Sequence, residues 1–176
     1  MRIRTAIDTD LDGIREIHLS AFPEDERQIV SKLAIDLLVE YTTPQTISLV
    51  AETGNTVVGH VAFSPVKLDC NKNLQGYILA PIAVMPDYQK QRIGSNLIES
   101  GIKALLNTGI NILFVYGDPG YYGKFGFNAA NAENFIPQYK LQYPLGWQAI
   151  ILNEFPVERA PCNIVCAASL GDPKLW

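Results

Sequence analysis

Hydrophobic and polar positions repeat along this chain with two different periods, which predict a succession of strands and helices. Short runs rich in β-branched and aromatic side chains predict strands over residues 3–7, 46–52, 56–65, 75–84, 110–116 and 147–154. Apolar side chains three or four positions apart predict helices over residues 11–22, from residue 25 to about 41, and from residue 93 to about 107. The run over 75–84 is the most apolar, which favours a central strand buried on both faces.

Composition narrows the class of protein. The chain has 176 residues, with 14 Lys+Arg against 18 Asp+Glu, a net charge of −4 and 48% hydrophobic residues. That length fits one domain, and the apolar content excludes intrinsic disorder. The acidic balance also disfavours a general nucleic-acid-binding protein, which would carry a basic surface. We therefore expect one globular α/β domain with no nucleic-acid partner.

The sequence also predicts a cytoplasmic protein without a membrane partner. Arg2, Arg4 and Asp8 stand where a signal peptide would need its apolar core. The longest apolar run, residues 77–85, is far shorter than the roughly 20 residues that span a bilayer. The three cysteines are odd in number, so we expect reduced thiols, and their spacing relative to the two histidines predicts no metal site.

One segment carries a pattern typical of anion binding. The strand over 75–84 is followed by a short polar turn and then by a helix that starts near Ile93. A helix N-terminus presents unpaired N–H groups and a positive dipole end, so it favours an anion in that turn. Lys90 and Arg92 add two positive charges, although charges in a turn are often only solvated. The turn predicts a phosphate or pyrophosphate site, and the glycine patterns of P-loops and dinucleotide folds are both absent.

The residues of this turn resemble a known motif. Gln89-x-x-Arg92-x-Gly94-Ser95 is similar to the Arg/Gln-x-x-Gly-x-Gly/Ala motif of the GNAT superfamily of acetyl-CoA-dependent N-acyltransferases. In that family the turn holds the pyrophosphate of coenzyme A. Arg92 stands where the family has its first glycine, and we expect it to adopt a right-handed helical conformation that keeps its N–H directed at phosphate.

A second segment strengthens the resemblance. Residues 117–127, Gly-Asp-Pro-Gly-Tyr-Tyr-Gly-Lys-Phe-Gly-Phe, resemble the element that closes the GNAT core, in the form typical of the YhbS-like branch of predicted bacterial acetyltransferases. Residues 58–66 match that branch as well. The resemblance implies a GNAT fold, in which a mixed central sheet with splayed central strands is flanked by helices. It places the acetyltransferase domain at residues 1–155, with residues 156–176 as a C-terminal extension packed on the same domain.

The resemblance implies acetyl-CoA as co-substrate and assigns residues to it. Tyr122 would be the general acid that protonates the leaving sulfur. The alternatives are the adjacent Tyr121, or a reaction that uses neither hydroxyl. The end of the strand would pair with the pantetheine arm, and the turn would hold the pyrophosphate. The implied cofactor-binding residues are Ile82, Ala83, Val84, Gln89, Lys90, Gln91, Arg92, Ile93, Gly94 and Ser95.

The acceptor implied by the resemblance is an amine of a small molecule or a protein, acetylated directly in a ternary complex. A covalent acetyl-cysteine route is disfavoured, because no cysteine lies in the matching motifs. The competing class is a non-catalytic acyl-CoA-binding module with the same fold. The sequence identifies neither the acceptor nor the general base.

Several polar residues are candidates for the acceptor side of the site. Glu24, Asp25 and Glu26 could bind or deprotonate a cationic amine, or could form an ordinary surface loop. Asp118 could do the same or could cap a helix. His60, inside a strand, is either a structural histidine or a general base.

Two further segments allow alternative interpretations. Residues 128–146 form a long stretch rich in Asn, Pro and Tyr, which predicts either a substrate-side flap or an ordinary packed connection. Residues 156–176 either cover an edge of the sheet or reach a second subunit. We expect a monomer or a homodimer.

Overall fold

The structure, a computed structural model, describes residues 1–156 and 161–176. Its strands are β1 (Arg2–Thr5), β2 (Ile47–Thr53), β3 (Thr56–Leu68), β4 (Gly76–Val84), β5 (Ile112–Tyr116), β6 (Phe135–Ile136), β7 (Trp147–Ile151) and β8 (Cys162–Val165). Its helices are α1 (Leu11–Ala21), α2 (Arg27–Val39), α3 (Ile93–Asn107) and the single turn α4 (Pro119–Tyr122).

Six strands form the main sheet, in the order β1-β2-β3-β4-β5-β7. Neighbouring strands are antiparallel except β4 and β5, which are parallel. The pairing of β4 with β5 starts at Gly76 and Ile112 and stops at Leu79 and Val115, although β4 continues to Val84. The predicted mixed sheet with splayed central strands is therefore confirmed.

Helices cover both faces of this sheet. Alternate residues of its central strands therefore belong to two different hydrophobic clusters, one on each face. α3 packs on one face, in a cluster that contains Leu97, Ile98, Leu105, Phe63, Leu113 and Val115. On the opposite face, Leu33 and Leu37 of α2 join Ala62 and Phe114. Ile14 of α1 packs nearby with residues of α2 and β2. The central strands are thus buried on both faces, as the run of apolar residues over 75–84 predicts.

The predicted elements are present, with ends displaced by a few residues. β7 ends three residues before its predicted end at 154, and β3 continues three residues beyond its predicted end at 65. The extension of β3 is explained by a partner that lies far away in sequence, since Lys67 and Leu68 pair with Val165 and Ile164 of β8. A local pattern of apolar residues carries no information about such a partner.

Residues 161–176 pack against the core. β8 pairs with both β3 and β6. Trp176 is buried, its indole N–H donates to the Leu170 carbonyl at 3.0 Å, and its ring stacks near Tyr116. This segment therefore completes the hydrophobic cluster on the α2 face of the sheet.

The expectation of three reduced thiols is wrong for two of them. Cys70 and Cys162 form a disulfide, with their Cα atoms 5.1 Å apart and a sequence separation of 92. The pairing of β8 with the end of β3 brings Cys162 beside the loop that holds Cys70. Cys166 is free and buried, and burial raises the pKa of its thiol to about 12, so it stays protonated at neutral pH.

The described residues bear on two expectations from the sequence, the one about a membrane-spanning helix and the one about a cluster of metal-binding side chains. Within the described ranges, no helix combines the length and the apolar character that crossing a bilayer requires. Over the same residues, no three His, Cys, Asp or Glu side chains come close enough together to hold a metal ion.

Candidate active site

A cavity of about 500 Å³ lies where β4 diverges from β5, and we call it the cleft. Its walls come from the end of β4, the turn before α3, the first turn of α3, the end of α1 and the segment around α4. The lining residues are Ala21, Phe22, Ile82, Ala83, Val84, Tyr88, Gln89, Lys90, Arg92, Ile93, Gly94, Ser95, Tyr121 and Lys124. The cleft thus brings together nine of the ten predicted cofactor-binding residues.

The strand wall of the cleft is the end of β4. Ile82, Ala83 and Val84 pair on one side with β3, and β5 has already ended its pairing at Leu79. The Val84 carbonyl accepts a hydrogen bond from the Gln89 side-chain amide at 3.1 Å. The other backbone groups on the β5 side of this segment have no strand partner, so an extended amide-containing chain can pair with them as a further strand would.

The turn wall presents unpaired backbone N–H groups. The first intrahelical bond of α3 runs from the Asn96 N–H to the Arg92 carbonyl at 2.9 Å. The N–H groups of Ile93, Gly94 and Ser95 therefore have no helical partner, and all three residues line the cleft. This is the arrangement that binds phosphate at a helix N-terminus.

Arg92 does not adopt the expected right-handed conformation. It has φ 63° and ψ 12°, in the left-handed region, and Lys90 also has a positive φ of 61°. These are unusual values for residues that carry a Cβ atom. The physical reason is the shape of the turn, because left-handed residues next to right-handed ones make successive N–H groups converge into an anion-binding concavity. Arg92 thus keeps the conformation that a glycine would adopt easily.

The cleft is strongly cationic for an acidic protein. Lys90, Arg92 and Lys124 line it, and no carboxylate does so among the described residues. The nearest approach of an acid to these cations is Glu99, 3.9 Å from the Arg92 guanidinium, and both side chains are exposed. Gln91 is the one predicted cofactor-binding residue outside the cleft, and its amide donates to the Asp87 carbonyl at 3.3 Å.

The two adjacent tyrosines occupy different positions. Tyr121 lines the cleft, and a Cβ atom at Gly94 would lie only 2.9 Å from its hydroxyl, so the glycine lets this hydroxyl reach the start of α3. Tyr122 packs behind it, with its ring against Phe127 and over Gly117, where a Cβ atom would lie 2.4 Å away. Tyr122 is not among the residues that line the cleft.

The tyrosines also differ electrostatically. Burial, with smaller contributions from Tyr121 and Asp118, raises the pKa of Tyr122 well above its ordinary value. Burial raises the pKa of Tyr121 as well, but the hydroxyl of Ser95 opposes that shift. Lys124 lies over the Tyr121 ring, with its Nζ 4.0 Å from the centroid. Both phenols are therefore protonated at neutral pH.

The predicted acceptor residues lie outside the cleft. Glu24, Asp25 and Glu26 are exposed and follow Phe22, one of the cleft residues, by two to four positions. Glu24 forms a surface ion pair with Arg27 at 3.1 Å. Asp118 caps α4 by accepting a hydrogen bond from the Gly120 N–H at 2.9 Å.

His60 is fully buried and belongs to a chain of three polar side chains. Its Nδ1 lies 2.9 Å from Nε2 of His18, and its Nε2 lies 2.8 Å from the Ser48 hydroxyl. Burial lowers the pKa of His18 to about 4. Burial and the neighbouring His18 lower the pKa of His60 well below its ordinary value, against the opposing charge of Asp10. Both rings are neutral at physiological pH.

Sequence reasoning missed several cleft residues. Ala21 and Phe22 are brought in by the packing of α1, which no local pattern marks as ligand-binding. Tyr88 directly precedes Gln89 in the turn, and Lys124 lies within the 117–127 element, but neither was assigned to the site. Residues 128–146, the expected flap or packed connection, do not border the cleft, and several of them line a separate cavity of about 700 Å³ together with Trp147.

Comparison with known proteins defines the class. Residues 2–130 match the family described as Acetyltransferase (GNAT) domain. This match covers well over half of the chain, and the chain belongs to the GNAT acetyltransferase family.

Two relatives locate the chain within that family. The uncharacterized N-acetyltransferase YhbS of Escherichia coli is 34% identical over 132 residues, which cover 74% of this chain and 75% of that protein. The uncharacterized N-acetyltransferase YjhQ of Escherichia coli is 32% identical over 131 residues, 73% of this chain and 70% of that protein. The predicted resemblance to the YhbS-like branch is confirmed.

Solved structures agree with this assignment. The crystal structure of YhbS from Escherichia coli in complex with CoA has a TM-score of 0.83 and 26% identity, over 97% of this chain and 92% of that one. A GNAT family acetyltransferase from Brucella melitensis in complex with acetyl-CoA has a TM-score of 0.68 and 28% identity, over 96% of both chains.

The left-handed conformation of Arg92 leads to a stability prediction. Arg92→Gly should be more stable than Arg92→Ala by about 1 kcal/mol, because only glycine adopts this region without steric cost. Gln91, whose φ is not positive, provides the matched control. At that position Gln91→Ala should be more stable than Gln91→Gly. Urea unfolding of the four variants measures both differences, and equal stability of the two Arg92 variants would contradict the steric explanation.

The buried histidines predict a loss of stability in mild acid. Their pKa values in the folded protein lie below the ordinary 6.5. Between these values the histidines of the unfolded chain are protonated, whereas those of the folded chain stay neutral. The free energy of unfolding should therefore fall between pH 7 and pH 5, by roughly 2 kcal/mol for each histidine. Urea unfolding at the two pH values measures the loss. His18→Gln, which keeps a donor for His60, should lose less, and a pH-independent wild type would refute the prediction.

Proposed function

We propose that this protein is an N-acetyltransferase that transfers the acetyl group of acetyl-CoA directly to an amine in a ternary complex. The observation that carries the proposal is the cleft, where an open strand edge leads into unpaired N–H groups and three cations. The pantetheine arm carries amides and the pyrophosphate carries negative charge, so the two walls suit the two parts of coenzyme A. The CoA and acetyl-CoA complexes of the structural relatives support the same ligand.

The reaction releases one proton for each ammonium group that is acetylated. The amine must first become neutral, and its nitrogen then attacks the thioester carbonyl. The resulting oxyanion is stabilised by a backbone N–H at the open end of β4, near Ile82 and Ala83. The carbon–sulfur bond then breaks, the sulfur takes up a proton, and the products are the amide, free coenzyme A and one proton.

Tyr122 is the proposed general acid for the departing sulfur. Its raised pKa supports part of this role, because the phenol keeps its proton until a strong acceptor appears. A thiolate with an ordinary pKa near 8.5 is a weaker base than that phenolate, so Tyr122 acts first as a hydrogen-bond donor to the developing charge. Tyr121, beside Gly94 and Ser95, is placed better for binding the cofactor.

Residues next to the cleft support a cationic acceptor. Glu24, Asp25 and Glu26 are exposed just beyond Phe22 and provide negative charge close to an otherwise cationic site. They would attract an ammonium group without competing for the phosphates. Asp118 contributes less to this, because it already accepts the capping hydrogen bond of α4.

The cellular location is part of the proposal. We propose the cytoplasm as that location. The Cys70–Cys162 disulfide is of a kind that is rare in that compartment, so there we expect the two thiols to be held reduced for part of the time.

A panel of amines with acetyl-CoA tests the activity. Small primary amines, polyamines, peptide N-termini and lysine peptides are supplied, and release of the coenzyme A thiol is measured. We expect release with at least one cationic amine. If calorimetry shows CoA binding while no amine releases thiol, the protein is instead a non-catalytic acyl-CoA-binding module.

Substitution of the two tyrosines tests the general acid. Tyr122→Phe should lower kcat by roughly 10- to 1000-fold, with little change in acetyl-CoA affinity. Tyr121→Phe is the matched control, and it should weaken CoA binding more than it lowers kcat. A reversed result, measured under conditions where chemistry limits the rate, would transfer the acid role to Tyr121.

A further inference from the structure

Phe22 lines the cleft from the end of α1, and the phosphate turn lines it from the start of α3. We infer that Phe22 limits the length of the acyl group that the cleft accepts, and that His18 is the positioning residue that holds it. This inference rests on the proposed function, because it takes a coenzyme A thioester as the ligand.

A chain of contacts places Phe22 beside the strand wall of the cleft. Phe22 stacks on His18, with ring centroids 6.0 Å apart and an interplanar angle of 18°. His18 is hydrogen-bonded to His60, and His60 is the cross-strand partner of Ala83 in β4. Phe22 therefore lies near Ala83, whereas the unpaired N–H groups at the start of α3 form the other end of the cleft.

The chemistry of the ligand fixes which of its parts meets Phe22. With the pyrophosphate at the start of α3, the pantetheine arm extends along Val84 towards Ile82, and the thioester follows it. The acyl group then faces the side chains of Ala21, Phe22 and Ala83. Two methyl groups leave room for a small acyl group, and the phenyl ring occupies the space that a longer one would need.

Phe22 has little freedom to move aside. Its backbone N–H donates to the His18 carbonyl at 3.3 Å, which ties the residue to the end of α1. The His18 ring behind it is fully buried and is held by the hydrogen bond to His60, which in turn is held by Ser48. Packing and hydrogen bonds of this kind lock a side chain in one position. The proposed reaction does not use the buried His18–His60–Ser48 chain. In this inference its role is to hold Phe22 in place.

Acyl-chain selectivity tests the role of Phe22. For one amine, kcat/KM of the wild type should fall by about 10-fold or more from acetyl- to butyryl-CoA, as expected when added methylenes do not fit. Phe22→Ala should bring the two values within roughly 3-fold of each other, and Phe22→Leu should give an intermediate ratio. Phe155→Ala, at a half-buried phenylalanine outside the cleft, should keep the wild-type ratio. A wild type without selectivity, or an unchanged ratio in both Phe22 variants, overturns the inference.

His18→Gln tests the positioning role. Glutamine can keep the hydrogen bond to Nδ1 of His60 but removes the ring on which Phe22 stacks. We expect its butyryl-to-acetyl ratio to lie between those of the wild type and Phe22→Ala. A lower Tm with the wild-type ratio would show that His18 serves stability alone, and it would overturn this part of the inference.

Binding without turnover separates this inference from the proposed function. The Kd values of CoA and butyryl-CoA are measured by calorimetry for the wild type and Phe22→Ala. If no amine is acetylated, the proposed function fails, and a butyryl-CoA affinity that rises about 10-fold in Phe22→Ala relative to CoA would still support the acyl limit. Equal relative affinities in both proteins would overturn it independently of catalysis.

Discussion

The end of pairing between β4 and β5 is the constraint on which the site depends. After Leu79 and Val115 the two strands separate, and the last residues of β4 keep only β3 as a neighbour. A continuous ladder would leave no space there and no free backbone groups. The divergence creates the cavity and leaves half-buried backbone groups without a strand partner. Because such groups need hydrogen bonds, the cavity favours an extended polar ligand. The helix start that follows β4 then supplies the anion-binding end of the same cleft.

Local patterns were enough to predict the six strands of the main sheet, the three long helices and the turn, but not the short strands β6 and β8. The apolar run of β4, the polar residues after it and the start of α3 are neighbours in sequence, so their periodicity and chemistry define the phosphate end of the cleft. Phe22 and Lys124 could not be found in this way, because they reach the cleft from other elements. The same holds for Cys70 and Cys162, whose contact depends on a strand pairing across 92 residues.

Arg92 shows a different limit of sequence reasoning. Preference alone assigns an arginine at a helix start to the right-handed region, which is what we predicted although the motif has a glycine there. In the structure the shape of the turn overrides the preference of the residue. Backbone strain of this kind is concentrated at functional sites, where surrounding contacts hold it in place. The departure from the motif therefore changes the side chain, while the backbone geometry stays that of a glycine turn.

The charge distribution has a consequence for how the cofactor arrives. Three cations line the cleft, but the protein as a whole carries a charge of −4. At physiological ionic strength, charges are screened beyond about 8 Å, so a polyanion that reaches the cleft mouth responds to the three nearby cations more than to the net charge of the protein. Local attraction of this kind prolongs encounters at the mouth. A cationic cleft can therefore bind a negatively charged nucleotide although the protein as a whole is acidic.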